Sequence, residues 1–257
     1  MKESKKGKHS EHRSVKMKKI KIQLVEIGEL NSNLNTKQAL RFSSSIFEIN
    51  KFFLKVDLPS KSKGLHWNYT DKQFRKIFPK KGKYDLSIGI TDVPLEYNYY
   101  VRKINESAIV LSFCKTGEIL TENEIPIENL LYRTLYQISL TYISNNSKFP
   151  KSIYEITHDD TRGCIFDMTG YREDLAHSTV SPIICKSCIV KLKDKGVTEN
   201  LLRDISIELK YLRLPLISKL RNIIRKSPMI SVTVTVVGSI LLNILASATF
   251  KLIEISF

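Results

Sequence analysis

Cysteine is scarce in this chain. There are four in 257 residues, alongside one tryptophan, eight prolines and ten glycines. Four thiols are too few for the disulfide framework of a small secreted domain, and three of them crowd into one stretch. Acidic charge is also short: 26 Asp and Glu face 41 Lys and Arg, a formal net charge of +15. Such a balance favours nucleic acid, anionic lipid or an acidic partner. Residues 1–19 read MKESKKGKHSEHRSVKMKK and hold no apolar core for a secretory signal. They read as a basic, disordered tail. The chain has no H-E-x-x-H motif, no Ser-His-Asp order, no Gly-rich phosphate loop and no Walker-type lysine. The common signatures of hydrolases and nucleotide enzymes are therefore missing. Without an export signal, the thiols belong in a reducing compartment, where metal or redox chemistry is the usual use of a C-x-x-C pair.

What is present reads as strands mixed with helices. Lys18 to Leu30 alternates, with Ile20, Ile22 and Leu24 on one side, as a strand does. Thr36 to Ile49 suits a helix with Leu40, Ile46 and Phe47 inward. Lys51 to Leu58 reads as a second strand ended by Pro59. Thr70 is placed to cap a short helix through Phe78. Trp67 and Tyr69 beside lysines offer stacking for a base or lipid headgroup, or pack their own loop. Tyr84 to Pro94 and Ser107 to Phe113 read as further strands, the latter ending at Cys114, a small core residue left out of any metal site. Pro126 to Ile143 reads as a helix whose Ile127, Leu131, Leu135, Ile138 and Tyr142 share a face. The expected class is α+β, an α/β-type mixed sheet with flanking helices.

Thr157 to Cys188 carries the chemistry. Cys164 is followed by the pair Cys185 and Cys188, with His158, Asp159, Asp160 and His177 near in sequence. Three thiolates and one imidazole suit one closed structural zinc ion, a zinc-knuckle subregion. A closed tetrahedron leaves no position for substrate water, so such a site contributes folding energy. A redox pair and three unliganded thiols are the alternatives. Asp159, Asp160 and Asp167 read as turn caps and supports of the metal, neutralised by Arg162 and Arg172. Paired for acid–base work near His177, they would instead serve a divergent metal-dependent hydrolase.

Leu86 to Leu95 (LSIGITDVPL), the AIVLS strand, the helix from Pro126, and CIFDM with its downstream C-x-x-C together resemble the archaemetzincins. That resemblance runs over about Ile20 to Leu192. It implies a metzincin-type metallopeptidase fold with a catalytic zinc and a second, cysteine-bound zinc. It assigns Cys164, Cys185 and Cys188 to the second ion. The family's first cysteine would fall near Asp159, which leaves His158 as the nearest substitute and His177 as the next. The catalytic zinc needs the H-E-x-x-H helix, and the helix in the matching place offers Tyr132, Arg133, Tyr136 and Gln137 instead. The resemblance thus implies a fold that kept its structural zinc and lost its catalytic one, a pseudoenzyme.

The last third is different in kind. From Thr198 to Lys226, Leu201, Ile205, Leu209, Leu212, Leu216, Leu220 and Ile223 keep one helical stripe, with a kink expected at Pro215. Lys210, Arg213, Lys219, Arg221, Arg225 and Lys226 add cations without an acid between them. This basic amphipathic segment, 193–228, suits an anionic membrane surface, or a helix that packs on the domain or on itself. Ser227 to Phe250 then carries no charge. As a helix it is long enough for a bilayer core, which predicts a transmembrane helix at 229–250 and a short tail at 251–257. A buried strand pair over SVTVTVV is the soluble alternative. The positive-inside rule puts the bulk of the chain, with its zinc domain at 20–192, on the cytoplasmic side of a single-pass, tail-anchored layout. Gly238, Ser239, Asn243, Ala246, Ser247 and Ala248 offer a surface for a homo-oligomer. The expected function is a membrane-anchored, non-catalytic, zinc-binding regulatory, interaction or defence-effector module. The hydrolase above is the first alternative. A nucleic-acid-binding protein, using the basic tail and the Lys61 to Trp67 loop, is the second.

Overall fold

The computed structural model describes residues 18–79, 82–151, 157–159, 162–212 and 228–256, and within the last segment the side chains of 229, 232, 233 and 235–247. The basic tail at 1–17 and the cations Arg213, Lys219, Arg221, Arg225 and Lys226 lie outside the described residues, as does Asp160.

A six-stranded mixed sheet forms the centre, in the order β2-β1-β4-β6-β5. Its strands are β1 (Ile20–Ile27), β2 (Phe47–Ile49), β3 (Leu54–Val56), β4 (Leu86–Thr91), β5 (Val101–Lys103) and β6 (Ala108–Ser112). β1, β4 and β6 run parallel, and β5 closes one edge antiparallel to β6. On the other edge β2 and β3 pair in succession with the two ends of β1. In the gap between them Asn50 Oδ1 accepts the Leu24 N–H at 2.9 Å, which satisfies a buried donor that no strand reaches. The alternation in β1 works as read. Ile20, Ile22 and Leu24 enter the larger core, while Val25 and Ile27 enter a smaller one on the opposite face. A parallel sheet covered on both faces explains why β4 and β6 are apolar almost throughout.

Two helices cover the sheet. α2 (Asp71–Ile77) sits over the smaller core with Phe74 and Phe78 buried. It opens with a capping box between Thr70 and Gln73, so the expected cap is present. Its approach is so close that a Cβ on Gly89 would lie 2.5 Å from Ile27 Cδ1 and 2.9 Å from Phe78 Cε2. α4 (Ile127–Ser144) covers the larger core and is buried nearly all round, not along one face. The expected stripe is there, but Leu130, Tyr132, Arg133, Tyr136 and Leu140 are buried too. Neighbouring elements meet this helix on several sides, and periodicity cannot show that.

The helix expected over Thr36 to Ile49 is short. α1 spans Thr36–Arg41, capped by Asn35, and Phe47–Ile49 is strand β2. Three serines in a row, Ser43 to Ser45, separate them. Serine competes with helical backbone bonds, and here Ser44 and Ser45 bond Glu208 instead. α3 (Thr116–Glu122), α5 (Leu175–Val180) and α6 (Lys186–Asp194) complete the domain with β5, and none of these four was expected.

The C-terminal third also departs from expectation. The stripe of α7 (Glu199–Tyr211) packs on the domain, the alternative named for this segment. Its Leu202, Ile205 and Leu209, with Leu212 after it, belong to the main core. Glu208 on this helix accepts bonds from Ser44 Oγ at 2.7 Å, Ser45 N at 2.8 Å and Tyr136 OH at 2.7 Å. Burial pushes the Glu208 carboxyl up, but those hydrogen bonds outweigh it and hold the group below its ordinary range. Lys210 remains exposed. The last helix, α8, covers Pro228–Ser256. The strand alternative for SVTVTVV is thereby excluded. No helix among the described residues is long and apolar enough to cross a membrane, so the expected transmembrane helix at 229–250 is not carried. The longest run with described side chains, 235–247, is about 20 Å of helix, and Thr235, Gly238, Ser239, Asn243 and Ser247 dilute it. α8 nonetheless exposes an apolar band, with Val232, Val236, Ile240, Leu241, Ile244 and Leu245, beside a polar one with Thr235, Ser239, Asn243 and Ser247.

Candidate metal centre

Two short hinged segments bring the thiols together. Gly163, at φ +88°, turns the chain just before Cys164, a conformation that costs an L side chain but not glycine. Ile165 N then donates to Ile183 O at 2.8 Å, and Ile183 N to Gly163 O at 3.0 Å. This isolated bridge, Cys164 to Ile183, places the first cysteine beside the approach to α6. A second bridge, His158 to Asp167, folds the imidazole over the same point. Its bonds are His158 N to Phe166 O at 3.1 Å and Met168 N to His158 O at 2.9 Å. Cys185 is the N-cap of α6 and Cys188 lies in its first turn. The positive end of a helix dipole therefore faces two sulfurs.

The ligand atoms of His158, Cys164, Cys185 and Cys188 all lie within 4.8 Å of one another, and the group can hold one metal ion. Cys164 Sγ stands 3.9 Å from Cys188 Sγ, and Cys185 Sγ stands 3.4 Å from His158 Nε2. A tetrahedron with metal–sulfur bonds near 2.3 Å and metal–nitrogen bonds near 2.05 Å needs about 3.8 Å and about 3.6 Å for those edges. Both of these edges are therefore already close to ligating size. The three cysteines are buried and His158 is half-buried. Ser187 Oγ touches Cys185 Sγ at 3.0 Å and supports it from outside the group.

The electrostatics of the thiols point the same way. The bond from Cys188, with further help from His158 and backbone donors, lowers the Cys164 thiol to about 5 against an opposing effect of burial. Cys188 moves up, first because of Cys164, then burial, then Cys185. Closely packed sulfurs cannot all ionise without a cation among them, and a dication removes that conflict.

The other residues of this stretch go elsewhere. His177 is exposed on α5 and does not join the group. Asp159 is exposed, and Asp167 accepts the Thr169 N–H at 3.0 Å as a turn support. Arg162 pairs with Asp174, while Arg172 donates to Cys114 O, Asn98 and Thr116. The expected neutralisation of Asp159 and Asp167 by these arginines is thus not seen among the described residues. Cys114 stands apart with its thiol raised by burial. On α4, Arg133 Nη1 bonds Gln137 Oε1 at 3.2 Å across one helical turn. Comparison with protein-family profiles, with curated proteins and with solved structures gave no match for this chain.

Proposed function

We propose that this chain is a non-catalytic, metzincin-like module, braced by one structural zinc ion, that acts at the cytoplasmic face of a membrane. The observation that carries the reading is the closed four-donor group His158, Cys164, Cys185 and Cys188. Soft thiolates with one imidazole in tetrahedral spacing favour zinc over harder cations. All four positions are taken by side chains, so the ion would brace the fold and have no vacancy for water. The archaemetzincin resemblance supplies the rest. A peptidase helix holds two histidines at i and i+4 with a glutamate beside the first. α4 has Arg133 and Gln137 at that spacing, bonded to each other, with Thr134 between. A cation and an amide cannot replace a metal-binding pair.

The membrane part rests on α8. Val232, Val236, Ile240, Leu241, Ile244 and Leu245 leave an apolar band of this helix exposed, and its natural cover is lipid or another such helix. The cations at 213–226 before it would settle on anionic headgroups. The module would receive a partner on its folded domain and act through clustering of its anchors.

Metal analysis of the purified full chain tests the central claim. One zinc per chain, lost together in Cys164→Ser and Cys188→Ser, is the expected result. Two metals per chain, or peptidase activity abolished by a chelator and by a single substitution on α4, would defeat it.

A further inference from the structure

The side of α4 that faces β5 opens on a cleft of about 760 Å³. Its walls include Tyr100, Arg102, Lys103, Gln137, Lys151 and Arg172, and no aspartate or glutamate lines it among the described residues. A volume of this size is that of a small-molecule site. Three of its lining residues, Tyr97, Asn98 and Thr169, hold positive φ without being glycine, a backbone cost that concentrates where chains bind ligands.

Arg133 lies behind this wall, fully buried. Its Nη1 donates to Tyr100 OH at 3.0 Å and to Gln137 Oε1 at 3.2 Å. Its Nε and Nη2, the two donors of one fork, have no partner among the described residues. Arg133 therefore dictates how its two neighbours present themselves. The Tyr100 oxygen accepts from Arg133 and from Thr169 Oγ1 at 3.4 Å, so its own proton is left to donate. The Gln137 carbonyl is turned toward the guanidinium, so its amide NH₂ is left to donate. Both residues line the cleft, whose floor thus offers donors against a cationic background.

We propose that this cleft binds a small anionic ligand, a phosphate ester or a carboxylate, whose oxyanion is received by Tyr100 OH and Gln137 Nε2. Arg133 is the positioning residue. It fixes the polarity of both donors and adds its own uncompensated charge at close range, where low dielectric strengthens it. Lys103 closes one end of the cleft by donating to Phe149 O and Pro150 O at 3.3 and 2.7 Å. Arg102 is held by Asp71 and packs against the rings of Tyr97 and Tyr99 at 5.7 and 5.3 Å, so it supports the wall and is not free to serve the ligand. The proposal does not depend on the metal or on the membrane.

Calorimetric titration of the purified full chain with AMP and, separately, with succinate tests it. The expected result is saturable binding of at least one probe, with AMP identifying a phosphate site and succinate a carboxylate site. Tyr100→Phe and Gln137→Glu, both at accessible positions, should each weaken that binding at least tenfold, the scale of a lost hydrogen bond to a charged group. The positioning role has its own readout. In the native chain the Gln137 side-chain NH₂ resonances should shift on probe addition, and in Arg133→Met that shift should disappear. Should Arg133→Met fail to fold, the two cleft variants still decide. Neither probe binding at millimolar concentration, or both variants binding as the native chain does, overturns the proposal and reduces any uptake to attraction by net charge.

Discussion

The sheet and the cysteine knuckle share one core but differ in what shapes the backbone around it. β1, β4, β6 and α4 bury long apolar side chains on both faces of a parallel sheet, and Ile22, Leu24, Ile88, Leu135 and Leu140 are wholly inaccessible. Among its described residues, the segment from Thr157 to Cys188 has two isolated bridges and two helical pieces before α6, a 3₁₀ turn (Arg172–Asp174) and α5. Ile165, Phe166, Leu175 and Ile184 tie it to the main core, and four donors that can hold one metal ion arrive at one point. A core of the first kind tolerates the loss of one member, because the burial of the others is additive. A metal site fails as a whole, because each missing donor weakens the ion on which the others converge.

The largest effect that would sharpen this contrast is loss of the proposed metal. Chelation, or Cys188→Ser, should expose amides across 157–194 to hydrogen exchange while those of β1, β4 and β6 stay protected. Uniform loss of protection over the whole domain would show that the two regions are one cooperative unit. Next in size is Leu135→Ala at the centre of α4. It should destabilise the domain by about 2–5 kcal/mol in denaturant titration without lowering the metal content. Glu208→Gln should cost about 1.5–3 kcal/mol, the scale of hydrogen bonds to a charged group. The same carboxyl predicts a pH dependence with a definite sign. Its folded pKa lies below its ordinary value of 4.5, so its contribution is complete above that value. It is lost as pH falls through the lower folded value, because the unfolded state then binds the extra proton. Glu208→Gln should flatten that limb of the stability–pH curve. The smallest effect on stability belongs to α8. Deleting 228–256 should leave the thermal midpoint of the domain within about a degree, since its described side chains bury nothing. The same deletion should weaken partition onto phosphatidylserine-containing vesicles and leave a residual binding that salt removes, carried by the cations at 213–226.

The parts of this molecule that sequence made legible are those where one face decides the structure. β1 announced itself by alternation, and α2 by Thr70 as its cap. The thiols of Cys164, Cys185 and Cys188 were legible because sulfur has few other reasons to be spaced so, and His158 was the nearest imidazole. What escaped detection was short or fully enclosed. β5 has three residues, too few for any period. α6 begins at the Cys185–Cys188 pair and carries three lysines and an aspartate among its nine residues, so its apolar side is thin. α7 showed its stripe plainly, but a stripe does not say what covers it. Membrane and domain core are equivalent to Leu202, Ile205 and Leu209, and the core claimed them through Glu208. The donor pair on the cleft floor was invisible because it depends on Arg133, Tyr100 and Gln137 meeting from α4 and the approach to β5.

The broken outer row of the sheet has a consequence for life at close quarters. β2 and β3 are three residues each, and the side chain of Asn50 plugs the space between them. A neighbouring copy finds no continuous ladder of free amides there on which to lay a strand of its own. Many such domains can therefore crowd together without zipping edge to edge into insoluble sheets.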